Sequence, residues 1–236
     1  MIKEALEYIV GLKKPEIINI GDQVYSDKTL RRVSHNPKAE TMKLSTLTSL
    51  IEYIKAEIDS MPRKMIIHVE SPTAVRLVSQ LDEDRIRECI ICVSAEIPHF
   101  SFGQYMGHES FLIALQSQFI KGNDRELLLK FAGTVEDGTV AQYGDDGVTQ
   151  KATIKTGIAS KGEAIVPSPV LLRPFRTFLE VQQPESPFIF RMRQDVGVKC
   201  ALFEADGGAW RNIAMKNVKE YLQYELSDFP QFIVIS

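Results

Sequence analysis

The sequence predicts an α+β fold built mainly on antiparallel sheet, with helices packed against it. Short runs of β-branched and aromatic residues follow one another with turn residues between them, as in a strand meander. Amphipathic helical segments come before and after these runs and do not alternate with them one by one, which is the α+β pattern. The chain of 236 residues, 44% hydrophobic and 25% charged, has an ordinary globular composition. We therefore expect a single domain over residues 1–236, with a subdivision into 1–97 and 98–236 as the alternative.

Residues 1–97 are predicted to hold helix and strands. Residues 2–11 have amphipathic spacing, and residues 17–20 form a short apolar run before a Gly-Asp turn. The clearest helix lies between Ser45, the expected N-cap, and Pro62, because Leu and Ile recur there at helical spacing. Three strand-like runs follow, at residues 64–69, 74–81 and 88–93.

Residues 98–236 are predicted to hold a helical pair, a strand meander and a C-terminal helix. Turn residues and changes of periodicity give the order of the elements. We expect helices at 109–120 and 124–132, a hairpin turning at 144–147, a loop over 157–168, strands between 170 and 206, and a helix at 210–226. The apolar tail, residues 229–235, is expected to add a strand to its own sheet or to a neighbour's.

Composition and motifs argue against several classes of function. The net charge of −3 argues against a surface that is basic throughout, although a local basic face is compatible with it. We expect no membrane span, because no apolar run reaches about 18 residues. Three cysteines without a paired framework suit a reducing cytoplasm. The sequence holds no Gly-x-Ser-x-Gly and no His-Glu-x-x-His motif, so we expect neither catalysis nor a cofactor.

Cys89 and Cys92 have the spacing of a metal-binding pair. In a regular strand, however, residues three positions apart point to opposite faces of the sheet. No second Cys or His pair follows at zinc spacing. We therefore expect both residues, like Cys200, to lie in the core, and we expect no metal site.

Five cations interrupt the apolar runs of the meander: Arg173, Arg176, Arg191, Arg193 and Lys199. A cation within a strand must face water or an anion, because burial of an unpaired charge is very costly. On a regular strand Arg191 and Arg193 share one face, whereas Arg173 and Arg176 diverge unless the proline between them bends the chain. Arginine suits bidentate phosphate binding and stacking on bases. One interpretation is therefore an anion or nucleotide site.

Further residues complete this candidate ligand-binding site. Lys161, within the Gly- and Lys-bearing loop, is expected to close over an anion. Phe102, Tyr105 and Trp210 are expected to stack on a base. The alternative interpretation is a solvated antiparallel face, in which the cations pair with nearby carboxylates, namely Glu180, Glu185, Asp195 and Glu204.

The order of features along the chain is shared with a known family. It comprises the helix at 47–58 before a strand pair, the double helix ending in Leu-Leu-Leu-Lys-Phe131, the Asp-Asp-Gly-Val hairpin at 145–148, the Pro-Ser-Pro lead-in at 167–169 and the closing helix that opens with Trp210-Arg-Asn. In this order the chain resembles the YfdQ-like family of uncharacterised proteins encoded by phages and prophages. The resemblance implies a small phage accessory protein in the bacterial cytoplasm, and it supplies no catalytic residues.

These features predict a non-enzymatic binding protein that forms a homo-oligomer. In its most specific form it is a counter-defence sponge that sequesters a small anionic nucleotide immune signal, since sequestration needs affinity without chemistry. Two alternatives stay open. One is an accessory protein that binds single-stranded nucleic acid in phage replication or recombination. The other is a structural homo-oligomer in which the arginines pair across subunits.

Overall fold

The computed structural model describes residues 3, 5, 6, 11, 15–29, 38–61, 63–83, 85–143, 150–155 and 161–236. For residues 136–143, 150–155 and 161–164 the description covers the backbone only. Two compact units are distinguished, Met1–Ala39 and Glu40–Ser236. The alternative boundary after residue 97 falls within the second unit. Most of the helix predicted at 2–11, and the turn predicted at 144–147, lie outside the described residues.

The first unit contains an antiparallel hairpin of β1 (Ile17–Ile20) and β2 (Gln23–Ser26). Gly21 occupies the turn with a φ of 61°, a conformation that glycine adopts without steric cost. The strand predicted at 17–20 is confirmed.

The second unit combines four helices with three sheets in its described part, and this confirms the α+β class with mostly antiparallel pairing. In chain order its elements are β3 (Met42–Leu44), α1 (Leu47–Lys55), β4 (Met65–Ser71), β5 (Ala74–Ser79), β6 (Cys89–Ser94), β7 (Met106–Gly107), α2 (His108–Ser117), α3 (Asn123–Thr134), β8 (Val135–Tyr143), β9 (Gln150–Lys155), β10 (Lys161–Ile165), β11 (Val170–Leu172), β12 (Ser186–Asp195), β13 (Gly197–Glu204), α4 (Trp210–Glu225) and β14 (Phe232–Ile235). No helix in the described ranges is long and apolar enough to cross a membrane.

The five-stranded sheet has the order β14-β4-β5-β6-β3. Its centre is the predicted antiparallel meander β4-β5-β6, and a parallel strand flanks it on either side. The tail therefore joins the sheet of its own chain, as β14 beside β4. Alternate residues of these strands are buried in one core with residues of α1 and α4, so that the two helices and one sheet face share a hydrophobic interior.

Helix α1 starts and stops differently from the prediction. Its N-cap is Thr46, whose hydroxyl accepts a hydrogen bond from the Ser49 N–H (3.2 Å), and not Ser45. The carboxylate of Glu180 accepts two more N–H groups of the first turn, which satisfies donors that a helix start leaves unpaired. The helix ends at Lys55, so Ile58 is 71% exposed and is not part of the predicted core stripe.

A β-bulge in the β5–β6 ladder contradicts the prediction for the cysteines. Val78 pairs with Cys89 and Leu77 pairs with Ile91, which leaves Ile90 as an extra residue. The extra residue changes the side-chain phase, so Cys89 and Cys92 point to the same face of the sheet. Both are half-buried, and the prediction that they are core residues was wrong because it assumed a regular strand. Cys200, in contrast, is fully buried as predicted.

The four-stranded antiparallel sheet has the order β11-β12-β13-β7. Along β12 the side chains of Phe188, Phe190 and Met192 are buried against apolar residues of α2 and α3, which confirms the predicted alternation. The first strand of the meander is shorter than predicted: β11 ends at Leu172. A proline follows two residues later, and it cannot continue the strand pairing because it lacks a backbone N–H donor. The chain then runs through an ordered loop, residues 173–185, before β12 begins.

The three-stranded sheet has the order β10-β9-β8. Residues 161–165 were predicted as part of a loop, and this was wrong: they form β10, which pairs antiparallel with β9. The alternation of polar and small residues in this segment gives little hydrophobic periodicity, so the strand is set by pairing and not by an apolar face.

Candidate functional site

The basic face is the outward surface of β12 and β13, defined here by Arg191, Arg193 and Lys199 together with the rings of Tyr105 and Phe203. Because the phenylalanines of β12 point into the core, Arg191 and Arg193 point to the opposite side of the sheet. Register places Lys199 directly opposite Arg193. The sheet therefore presents three predicted site cations on one face, within neighbouring cross-strand positions.

An aromatic side chain lies against the central cation of this face. The guanidinium carbon of Arg193 is 4.2 Å from the centroid of the Tyr105 ring, a cation–π contact. Tyr105 precedes β7, whose pairing with β13 brings it to this position. The ring of Phe203 meets that of Tyr105 edge-on at 6.1 Å between centroids. The basic face thus combines cations with aromatic surface.

Two cations of the basic face are opposite each other across the strands. Arg193 and Lys199 are like charges in directly opposite positions, an arrangement that costs stability. Among the described residues, Asp195 pairs with Lys199 at 2.7 Å between Nζ and Oδ2. The hydrogen bond and charge of Lys199 lower the pKa of Asp195, and the charge of Arg193 contributes in the same direction. An anion at this face would relieve the same repulsion.

Arg176 lies in a separate, buried network and is only 5% exposed. It donates to the carboxylate of Glu204 at 3.0 Å and to the hydroxyl of Ser186, and its guanidinium carbon is 4.1 Å from the centre of the Trp210 ring. Burial lowers the pKa of Arg176 to about 10, although the charges of Glu204 and Asp206 oppose this shift. Arg176 therefore stays protonated at neutral pH and is already paired.

The loop at 173–185 holds Arg176 in this position. The side chain of Gln183 accepts hydrogen bonds from the N–H groups of Arg176 and Thr177 and donates to the carbonyl of Phe178 (2.8 Å). Burial of Gln183 is almost complete. The buried amide of Gln183 thus provides hydrogen-bond partners for backbone groups of the same loop, which fixes the loop conformation. The position of Arg176 is therefore determined by the fold and needs no ligand.

Asp206 closes the network at the start of α4. Its carboxylate accepts from the N–H groups of Gly208 (2.9 Å) and Trp210 (3.2 Å) and from the hydroxyl of Ser186 (2.9 Å). Burial raises the pKa of Asp206, but these hydrogen bonds and the charge of Arg176 outweigh it and hold that pKa below its ordinary value. The carboxylate thereby anchors both the helix start and the buried arginine.

The other predicted site residues lie apart from the basic face. Arg173 pairs with Glu185 at 3.2 Å and lines a cavity of about 200 Å³ beside the start of α3. Arg173 and Arg176 have separate partners, but both lie in the loop after β11 and not on the strand for which their divergence was predicted. Phe102 stacks on Phe188 at 5.2 Å between ring centroids.

Lys161 begins β10, and its side chain is outside the described part of the protein. The structure thus brings together Arg191, Arg193, Lys199 and Tyr105, and it brings Arg176 to Trp210 in a different place. Two neighbours of these residues, Asp195 and Phe203, were not in the predicted ligand set. Pairing residues across the hairpin turn at Gly197 would have found Phe203, because it lies opposite Ile189 and shares its face.

Comparisons of the chain with protein-family models, with curated proteins and with solved structures found no match. The resemblance to YfdQ-like proteins, and the phage setting that it implies, therefore stay predictions. In the described part of the chain, no group of three or more His, Cys, Asp or Glu side chains is arranged to hold a metal ion.

Proposed function

We propose that the protein is a non-enzymatic binding protein that captures a small, anionic, nucleotide-like ligand on the basic face. The single observation that carries the proposal is the stacking of Arg193 on Tyr105 with Lys199 directly opposite. Like charges in directly opposite positions repel each other, and an anion bound between them would reduce that repulsion further than Asp195 does. Arg191, on the same face, adds a further cationic donor.

The spacing of the cations suits more than one anionic group. Arg191 and Arg193 are two residues apart on one strand, a separation of about 6.7 Å, whereas neighbouring strands are about 4.8 Å apart. Arg193 and Lys199 are thus close enough to share one phosphate, and Arg191 is placed for a second. Guanidinium groups bind phosphate through paired hydrogen bonds. Tyr105 and Phe203 supply ring surface on which a base can stack.

In the setting that the family resemblance implies, such binding serves sequestration. A phage protein that holds a nucleotide immune signal without altering it would lower the concentration of that signal in the host cytoplasm. This form of the proposal needs affinity and no reacting group, in keeping with the expected absence of catalysis. The ligand should therefore be recovered chemically unchanged after binding.

The test is isothermal titration calorimetry with a panel of cyclic and adenosine-diphosphate-ribose-type nucleotides. Lys199→Gln should weaken binding about tenfold or more, because a hydrogen bond to a charged group contributes about 1.5–3 kcal/mol. Lys216→Gln is the matched control: Lys216 also pairs with a carboxylate four residues away, but on the exposed surface of α4. If no nucleotide binds, or if Lys199→Gln binds the nucleotide as tightly as Lys216→Gln does, the proposal is wrong.

The second candidate function is binding of single-stranded nucleic acid on the same face. The observation that favours it is the combination of cations and aromatic rings on one sheet surface, which suits stacked bases. Three phosphate contacts would give a slope of about −2 for the logarithm of affinity against that of salt concentration. A gel-shift series in increasing salt measures this slope. A mononucleotide that competes fully with the strand would favour the first candidate.

Self-association is a third proposal, and it concerns the same cations. If Arg191 and Arg193 pair with carboxylates of a second copy, the basic face is a subunit interface. Native mass spectrometry reports both the stoichiometry and any retained small molecule. Dissociation of an oligomer by Arg193→Gln without ligand loss would assign the face to the interface.

A further inference from the structure

Two thiols lie together on the outer face of the five-stranded sheet. Across from them on β5, Val75 and Leu77 point into the core, whereas Arg76 and Val78 point outward. Cys89 is opposite Val78 and Cys92 is opposite Arg76, so both cysteines share the outer face. The bulge is the cause of this arrangement, because a regular strand would separate them onto two faces.

Cations flank Cys92 on both neighbouring strands. Arg76 is its partner on β5, and Lys43 is its partner on β3, so all three side chains point to the same side. Arg76 also pairs with Glu70 at 2.8 Å, but its side chain remains 45% exposed. Reactive cysteines characteristically occupy such partly exposed, electropositive surroundings. Cys92 therefore has the environment of an attacking thiol.

Cys89 lies within reach of Cys92. Burial raises the pKa of Cys89, and the adjacent Cys92 raises it further through its charge and a hydrogen bond; a hydrogen bond with Thr41 and the charge of Arg76 act in the opposite direction but are outweighed. The Cys89 thiol also contacts the carbonyl oxygen of Ile91 at 3.6 Å. The hydrogen bond between the two thiols places the sulfur atoms next to each other, as disulfide formation requires.

We propose that Cys92 and Cys89 form a hydroperoxide-sensitive dithiol, in which Cys92 is the attacking thiol and Cys89 resolves the product to a disulfide. The Cys92 thiolate attacks one oxygen of the hydroperoxide and the O–O bond breaks. The sulfur becomes a sulfenic acid, while the other oxygen leaves and takes up a proton as an alcohol or, from hydrogen peroxide, as water. The Cys89 sulfur then attacks the Cys92 sulfur, the S–O bond breaks, and the hydroxyl group leaves as water with the proton of the Cys89 thiol. The two thiols lose two electrons, and the hydroperoxide gains them.

Cys200 provides a control within the same molecule. It is fully buried in the core of the other sheet, and burial raises the pKa of its thiol to about 12. A buried thiol in apolar surroundings is inert. The modification site is independent of the basic face, because β5 and β6 belong to a different sheet from β12 and β13.

The test is exposure of the intact protein to equimolar hydrogen peroxide with dimedone as a trap for sulfenic acid, followed by peptide mass spectrometry. In the wild type we expect a Cys89–Cys92 disulfide and an unmodified Cys200. In Cys89→Ser we expect dimedone on Cys92, and in Cys92→Ser we expect none on Cys89. Oxidation of Cys92 should exceed that of Cys200 about tenfold or more.

The wild-type measurement decides the matter even if a variant folds poorly. If Cys92 oxidises no faster than Cys200, or if sulfenic acid accumulates at Cys92 without forming the disulfide, the dithiol assignment is overturned. Lys43→Gln should slow trapping at Cys92, since it removes one flanking cation. Lys216→Gln removes an equal charge on α4 and should leave the rate unchanged; equal slowing by both variants would contradict the role of Lys43.

Discussion

Replacement of Arg176 by Met should destabilise the protein even though the side chain keeps a similar length. Arg176 is almost fully buried, pairs with Glu204 at 3.0 Å and lies over the ring of Trp210 at 4.1 Å. The substitution removes both interactions and leaves the Glu204 carboxylate without its partner. The expected loss of folding stability therefore has two sources. The Glu204 carboxylate remains without its cation, and the contacts of the Arg176 guanidinium are removed.

The magnitude follows from the burial of the two partners. Breaking a fully buried ion pair costs about 3–5 kcal/mol, and the desolvated cation–π contact contributes about 2 kcal/mol. Two effects reduce the total: the Glu204 side chain is 31% exposed and partly solvated, and removal of Arg176 relieves the desolvation that lowers its pKa. We expect a net loss of about 3 kcal/mol, which lowers Tm by about 6–12 °C for a protein of this size.

The assay is urea unfolding at neutral pH of Arg176→Met, Glu204→Gln and the double variant. Because each single variant leaves the other member of the pair unmatched, the double variant should be less destabilised than the sum of the two, by about 1 kcal/mol or more. Arg173→Met is the control: its pair with Glu185 is exposed and should change stability by less than about 0.5 kcal/mol. Additive single effects, or equal losses for Arg176 and Arg173, would refute the reasoning.

Three further predictions concern other parts of the second unit. Phe190→Ala should cost about 3–5 kcal/mol in urea unfolding because the ring is fully buried, and a loss below about 1 kcal/mol would contradict its core role. Burial raises the pKa of Tyr53 to about 12, aided by Asp59 at 2.5 Å, so one phenol should ionise near pH 12 in a spectrophotometric titration. Since this folded pKa exceeds the unfolded value of about 10, stability should fall as pH rises between the two, and Tyr53→Phe should remove that component. Gly208→Ala should cost about 1–2 kcal/mol in thermal unfolding, because Gly208 has a φ of 84°, a conformation that a residue with a Cβ atom adopts only with strain; an unchanged Tm would contradict this.

The alternation of β12 could be predicted from sequence because it depends on local geometry alone. Successive side chains of a strand point to opposite faces, so Phe190 and Met192 in the core place Arg191 and Arg193 outside. The same local rule failed for Cys89 and Cys92. One extra residue in the ladder placed both side chains on the same face of the sheet. No residue type in that apolar segment indicates the bulge.

Three of the carboxylates named in the alternative interpretation, Glu185, Asp195 and Glu204, do pair with cations of the set. Which cation each one meets, and which aromatic ring lies beside it, could not be predicted, because these contacts depend on how the chain folds. Tyr105 reaches Arg193 only through the pairing of β7 with β13. Arg176 meets Glu204 because a loop, and not the expected strand, follows β11. Candidate cations can thus be named from sequence, whereas the division between a buried ion pair and an open basic face is decided by tertiary packing.

The parallel strand β14 has a consequence for how the five-stranded sheet assembles. Its partner β4 lies far earlier in the chain, with more than half of the sequence between them. Contacts between residues so far apart in sequence form slowly, because the long intervening loop must close, at a cost in entropy, before the contacts stabilise the fold. Until the last strand and α4 arrive, β4 has an unpaired edge and the sheet keeps part of its apolar face uncovered. The folding chain is therefore prone to aggregation until α4 and β14 dock on the sheet.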